Sequence, residues 1–261
     1  AGEDLPLVDV LFRAAVTELF VADLAGHERV TTELERLAAR LGDPRSRALA
    51  HCSRSFLALE QGENRRAATE ADQAVLLMRE TGDAYEYGFL SNFRAEVARL
   101  TGDLHRARAG YEEVVRVGEQ LGCKRLLIVG NGNLGLVFAE EGDWAAALRL
   151  VKMALLGNQA LGEHRNLPAA LINASEMLLH LGSPELGARV LGAADAALAA
   201  APMNYSVSDR VPHERTRLAF ARSLPVERLE ALRQEGAALG TAEIILRILA
   251  FEPTVMADPA S

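Results

Sequence analysis

Leu126-Leu127-Ile128-Val129 runs directly into Gly130, Gly132 and Gly135. G-x-G-x-x-G after an apolar run is the spacing of a strand-turn-helix that binds a pyrophosphate. The glycines permit the tight turn and close backbone approach, and the N–H groups opening the helix hold the anion. A dinucleotide site also needs a second strand ending in an acidic residue about 20 positions on. The segment after Gly135 instead reads LVFAEEGDWAAAL, the end of one helix and the start of the next. The glycines are therefore expected inside a helix, and Gly135 is accounted for by packing. Gly130 and Gly132 are not, because an interior helix glycine costs about 1 kcal/mol relative to alanine. A helix that starts late or frays is the expected reason; backbone exposed for a partner is the alternative.

Other reactive side chains are scattered. His27, His51, His105, His164, His180 and His213 form no H-x-x-x-H or H-E-x-x-H pattern, so no zinc helix is expected and each is assigned to a helix surface or turn. Cys52 and Cys123 form no C-x-x-C pair and read as buried free thiols, which suits a reducing cytoplasm. Neither G-x-S-x-G nor G-x-x-x-x-G-K-[ST] occurs. Glu112-Glu113 and Glu140-Glu141 are adjacent pairs, which on a helix point apart and stay solvated. Trp144 is expected to pack between helical hairpins. No catalytic residue, metal ligand or cofactor is expected, and the chain is not expected to be an enzyme. A net charge of -8 argues against direct nucleic-acid binding, though not against a local basic patch. No run of about 18 apolar residues marks a membrane span, and a cytoplasmic location is expected. The chain opens on Ala rather than Met, which suggests a piece of a larger protein.

The elements that must position these residues are set out by glycine. Gly42, Gly62, Gly82, Gly102, Gly122, Gly142, Gly162 and Gly182 fall every 20 residues, and Asp43, Asp83, Asp103, Asp143 or Ser183 follows five of them. Glycine closes a helix in the left-handed conformation, and Asp or Ser caps the next by accepting from its unpaired N–H groups. Pro44 and Pro184 stand at the first helical position, where no amide donor is missed. The pattern predicts helices of about 17 residues joined by short turns. Alternate helices match best, so the true period is 40: Ser55, Ala95, Gly135 and Ser175 form one column of small residues, and Ala67, Ala107, Ala147 and Gly187 another. Fixed small residues let paired helices approach closely, the signature of stacked helical hairpins.

These columns resemble the tetratricopeptide repeat, with a small residue in the first helix and an alanine twelve positions later in the second. The usual repeat has about 34 residues; these have 40, and the family's aromatic positions are thinly filled, Tyr111 and Phe138 being the best survivors. The resemblance covers roughly residues 43–202, with a looser hairpin before it (helices near 5–24 and 28–41). It implies an all-α, right-handed superhelical solenoid of antiparallel hairpins at about 1–42, 43–82, 83–122, 123–162 and 163–202. A C-terminal helical cap over 203–252 and a disordered tail over 253–261 complete the expected domain plan. Within the cap, a loop is expected near 202–211 and helices over about 212–223, 226–238 and 242–251, the last capped by Thr241. The apolar Ile244, Ile245, Ile248 and Leu249 must be buried, by capping the array or in a homodimer.

The far end also resembles the repeat regions of large bacterial signal-transduction ATPases and LuxR-type transcriptional regulators. The carriers are Leu191-Gly192-Ala193-Ala194-Asp195, Pro212-His213-Glu214-Arg215, Leu229-Glu230-Ala231-Leu232 and Glu235-Gly236 before Thr241-Ala242-Glu243, with Asp195 where those chains carry Glu. This implies a sensor or scaffold region whose partners include the ATPase and output domains of the same parent chain. In such solenoids the first helices line a preformed groove for a peptide, protein segment or small inducer. Arg54, Asn92, Arg94, Asn133 and Asn173 are the first-helix polar candidates for it, Asn because its amide can bond both groups of a peptide unit. The bland alternative for the asparagines is hydrogen bonding between hairpins. A stand-alone peptide-sensing receptor of the quorum type is the alternative to the regulator, and a nucleotide-binding enzyme is the third reading.

Overall fold

The computed structural model describes residues 4–21, 23–162, 167–200 and 207–253. Among them are twelve helices: α1 (Asp4–Val21), α2 (Leu24–Leu41), α3 (Pro44–Glu60), α4 (Asn64–Glu80), α5 (Ala84–Leu100), α6 (Leu104–Leu121), α7 (Lys124–Glu140), α8 (Trp144–Leu161), α9 (Leu167–His180), α10 (Pro184–Ala200), α11 (Val207–Ser223) and α12 (Val226–Ala250). The glycine ruler holds: all eight glycines spaced at 20 have φ between +61° and +86°, where a side chain is strained. Asp43, Asp83, Asp103 and Asp143 each accept from the backbone N–H three residues on, at 2.9–3.0 Å. Each such cap stabilises its helix by about 1 kcal/mol. Asp23 caps α2 in the same way, through Gly26 N–H at 2.9 Å.

The residues divide into two compact units, one holding 4–137 and the other 138–200 with 208–253. In the N-terminal unit α1 packs on α2, α3 on α4 and α5 on α6, and the first helices α1, α3 and α5 touch in succession. Small columns set the spacing. The Ser55 hydroxyl donates to the Ala67 carbonyl at 2.8 Å, and Gly110 is so close to Ala95 that a Cβ on it would lie 2.7 Å from the alanine methyl. Larger side chains fill the space between hairpins: Phe93 meets Phe12, Phe56 and Phe89 edge-on, with centroids 6.4, 5.0 and 4.8 Å apart. Cys52 is buried in this core. Arg45 binds Asp9 of α1 at 2.7 Å and Glu86 of α5 at 3.2 Å, tying three successive first helices together.

In the C-terminal unit α8 packs on α9, α9 on α10, and α12 along α10. Residues 208–250, within the stretch expected as a helical cap on the array, share a compact unit with α8–α10. The carriers of the regulator resemblance are the contacts responsible. Gly192 of α10 lies against Arg233 of α12, and Gly236 of α12 against Arg189 of α10. Ile244, Ile245 and Ile248 are buried, and Lys152 of α8 donates to the Leu249 carbonyl at 3.2 Å, placing a cation at the end of α12. Two boundaries differ from expectation. α11 begins at Val207 rather than 212, so residues 207–211 of the expected loop are helical; residues 202–206 lie outside the described residues, as do residues 254–261 of the expected tail. α12 is assigned as one helix, but Gly240, at φ 76° and ψ 163°, breaks it where two helices were expected.

Asp195 of α10 accepts from His213 of α11 at 2.8 Å and from Arg233 of α12 at 3.1 Å. Burial alone would raise its carboxyl, but these two donors hold it below the usual carboxylate value of 3.8. A depressed folded value means the stabilisation is present above about pH 4 and is lost as pH falls through the folded value. Asp195→Asn is therefore expected to cost about 2 kcal/mol at pH 7, with the gap between variant and parent narrowing below about pH 4. Urea midpoints of both proteins across that range check this; a gap that stays constant with pH refutes it.

Candidate functional site

The glycine motif that opens the sequence carries no phosphate cradle. α7 is helical from Lys124 to Glu140, so the N–H groups at 130–135 are spent within the helix. The expected late start or fraying is corrected by packing. Gly130 is buried, and a Cβ there would lie 2.9 Å from Val115 Cγ2 and 3.2 Å from Val114 Cγ1 of α6. The glycine offsets its helix penalty by letting α6 and α7 approach. Asn131 turns its amide back onto the Leu127 carbonyl at 2.8 Å, which lets a polar residue sit in the buried face. Gly132 is half-buried in the same helix.

Asn92 and Asn133 come together: Asn133 Nδ2 donates to Asn92 Oδ1 at 2.8 Å, joining α5 to α7. The bond leaves the Asn92 amide NH2 and the Asn133 carbonyl for other partners. Asn173 is half-buried in α9 of the C-terminal unit. The arginines face elsewhere. Successive helix residues are about 100° apart, so Asn92 and Arg94 stand on nearly opposite sides of α5 and cannot line one groove. Arg54 pairs with Glu35 of α2 and lies 3.9 Å from Glu70 of α4. Arg94, forty residues on in the same column, turns into a cleft shared with residues of α4 and α6.

His27, His51, His180 and His213 have structural partners, whereas His105 is exposed, as expected. His27, expected on a surface, is buried: its Nδ1 lies 2.9 Å from Glu60 Oε2 and its Nε2 3.4 Å from Ser53 Oγ, which in turn meets Thr31 at 2.7 Å. Helix pairing, not local sequence, encloses it between α2 and α3. His51 Nδ1 lies 2.6 Å from Glu70. His180 stacks flat on Trp144, with ring centroids 3.8 Å apart, so Trp144 joins α8 to α9. His164 lies outside the described residues. Glu96, Arg99 and Tyr111 form a further cluster. Burial pushes the Glu96 carboxyl up, but the Arg99 guanidinium at 2.7 Å and the Tyr111 hydroxyl at 2.5 Å hold it below its ordinary value. Burial, and then Glu96, push the Tyr111 phenol well up. Among the described residues no three His, Cys, Asp or Glu side chains are grouped to hold a metal, and no helix is long and apolar enough to cross a membrane.

No protein-family model and no curated protein matches the sequence. Solved structures do share the fold. A signal-transduction ATPase with numerous domains and a tetratricopeptide repeat sensor, from Pyrococcus horikoshii, aligns over 94% of this chain at 13% identity and a TM-score of 0.62. The chain spans only 38% of that protein's length. BtubC from P. vanneervenii aligns over 94% of this chain and 97% of its own, at 14% identity and a TM-score of 0.58. The apo form of RapI aligns over 92% of this chain and 99% of its own, at 12% identity and a TM-score of 0.56. The chain therefore has the tetratricopeptide-like fold of antiparallel helical hairpins, as the repeat columns predict.

Proposed function

We propose that this chain is a non-catalytic binding module, the sensor or scaffold region of a larger cytoplasmic bacterial regulator, and that it receives a peptide segment or inducer on the face built by its first helices. The fold supports this reading, since stacked hairpins offer an extended, preformed surface. So does the structural likeness to a protein with a tetratricopeptide repeat sensor. The observation that carries it is the Asn92–Asn133 pair. Two amides on neighbouring first helices are fixed by one bond, which leaves the Asn92 NH2 to donate and the Asn133 carbonyl to accept, the two roles that complement a peptide unit. Bound segments would bias the attached ATPase and output domains by shifting how the hairpins stack.

A displayed peptide library tests this directly. Peptides enriched on the parent chain are expected to lose about tenfold or more in affinity for the Asn92→Ala/Asn133→Ala double variant, the cost of one or two peptide hydrogen bonds left unmade. Failure to enrich any sequence, or equal binding by the double variant, refutes the reading.

A further inference from the structure

A second surface of the N-terminal unit has the chemistry of a ligand site. α5 packs against both α4 and α6. Where α4 and α6 stand apart, a cleft of about 630 Å³ opens above α5, adjoined by one of about 290 Å³. Arg79, Tyr87 and Arg94 line both spaces and so stand at their junction. These volumes fall in the range of small-molecule sites, about 300–1,000 Å³.

The charges around the cleft are unevenly spent. Asp83 caps α5 through Glu86 N–H at 3.0 Å. Glu113 is engaged by Arg116 and by the Tyr87 hydroxyl at 3.3 Å. Asp72 of α4 and Arg106 of α6 form an ion pair that straps the cleft. Arg79 and Arg94 have no acidic partner among the described residues. Arg94 is half-buried. Its counterpart forty residues earlier, Arg54, does find an acidic partner, in Glu35. Two guanidiniums thus converge on one junction, with the local carboxylates and the Tyr87 hydroxyl committed elsewhere. Planar guanidinium forks match carboxylate and phosphate oxygens. Beside them the smaller space is walled by Val75 and the exposed Leu76, which offer apolar contact.

We propose that this cleft binds a small organic anion, its carboxylate or phosphate group held between Arg79 and Arg94 and its apolar body lying along Val75 and Leu76. Asn92 and Asn133 do not line the cleft, so this proposal and the peptide-binding reading fail separately. The Asp72–Arg106 strap competes with the ligand for a third cation.

Calorimetric titration with phenyl phosphate, phenylacetate and inorganic phosphate tests this on the whole chain. At least one of the two aromatic anions is expected to bind saturably. Arg94→Ala is expected to weaken that binding roughly tenfold or more. Arg29→Ala, an equal charge change on α2 away from the cleft, is expected to leave it unchanged. Asp72→Asn frees Arg106 and is expected to tighten binding by about threefold, a gain that a misfolded variant cannot mimic. Response to phenyl phosphate alone identifies a phosphate ester, and response to phenylacetate alone a carboxylate. The proposal is overturned if neither aromatic anion binds, if Arg94→Ala and Arg29→Ala behave alike, or if Asp72→Asn shows no gain. Binding of inorganic phosphate as tight as that of phenyl phosphate removes the apolar subsite and overturns it as well.

Discussion

Phe220→Ala is expected to destabilise the C-terminal unit by about 3–5 kcal/mol, the cost of emptying a large aromatic site that cannot collapse. Phe220 is fully buried, and it is the aromatic side chain of α11 that packs against Gly187 of α10. The site is made by an exception. Ala67, Ala107 and Ala147 stand in one column, and the fourth member is Gly187. A Cβ on Gly187 would lie 2.8 Å from Phe220 Cζ and 2.8 Å from the Ser175 carbonyl. The missing methyl makes room for the ring while α9 and α10 stay close. Thermal or urea unfolding followed by far-UV circular dichroism should show the loss, and hydrogen exchange should place it first in α11. A change within about 0.5 kcal/mol, the range of surface substitutions, would mean that the ring does not fasten α11.

Gly236→Ala should have the next largest effect, and for a different reason. A Cβ at Gly236 would lie 1.8 Å from the Arg189 carbonyl oxygen, and one at Gly192 would lie 2.0 Å from that of Arg233. These neighbours are backbone, so no side-chain rotation relieves the overlap and α10 and α12 must separate. Overpacking of this kind costs about 1–3 kcal/mol and at times more. The backbone contact places these glycines at the upper end. Alanine returns about 1 kcal/mol through its better helix propensity, which leaves a net loss of about 2 kcal/mol or more. Unfolding midpoints of Gly236→Ala and Gly192→Ala should both fall, and an unchanged or raised midpoint for both would contradict the crossing.

The fold was legible because its signals are local and repeat. A left-handed glycine and an Asp cap act within a few residues, and their recurrence every 20 residues made the pattern unmistakable. The small columns were legible for a related reason, since Ser55, Ala95 and Gly187 all lie where helices touch. What a residue meets across a hairpin was not legible. Gly130 looked like a flaw because its reason, Val114 and Val115, sits on another helix. His27 looked like a surface residue until α3 closed over it. Arg54 and Arg94 are first-helix polar residues like Asn92, but a helix turns about 100° per residue and carries them to another side. Arg79 and Arg106 lie on second helices, α4 and α6, with no sequence pattern linking them to Arg94. Only the meeting of α4, α5 and α6 brings them beside Arg94. The Gly192 and Gly236 motifs carry the family resemblance in the sequence; in the structure they are the points where two backbones cross.

The two cysteines differ in a way that lends itself to labelling. Cys52 is sealed in the N-terminal core, and burial pushes its thiol far above the ordinary value, leaving almost no thiolate to react. Cys123, at the turn into α7, is only half-buried. A maleimide dye should therefore attach at one position in the native chain without any engineering, a few turns of helix from Asn133, and its emission would report on whatever settles there.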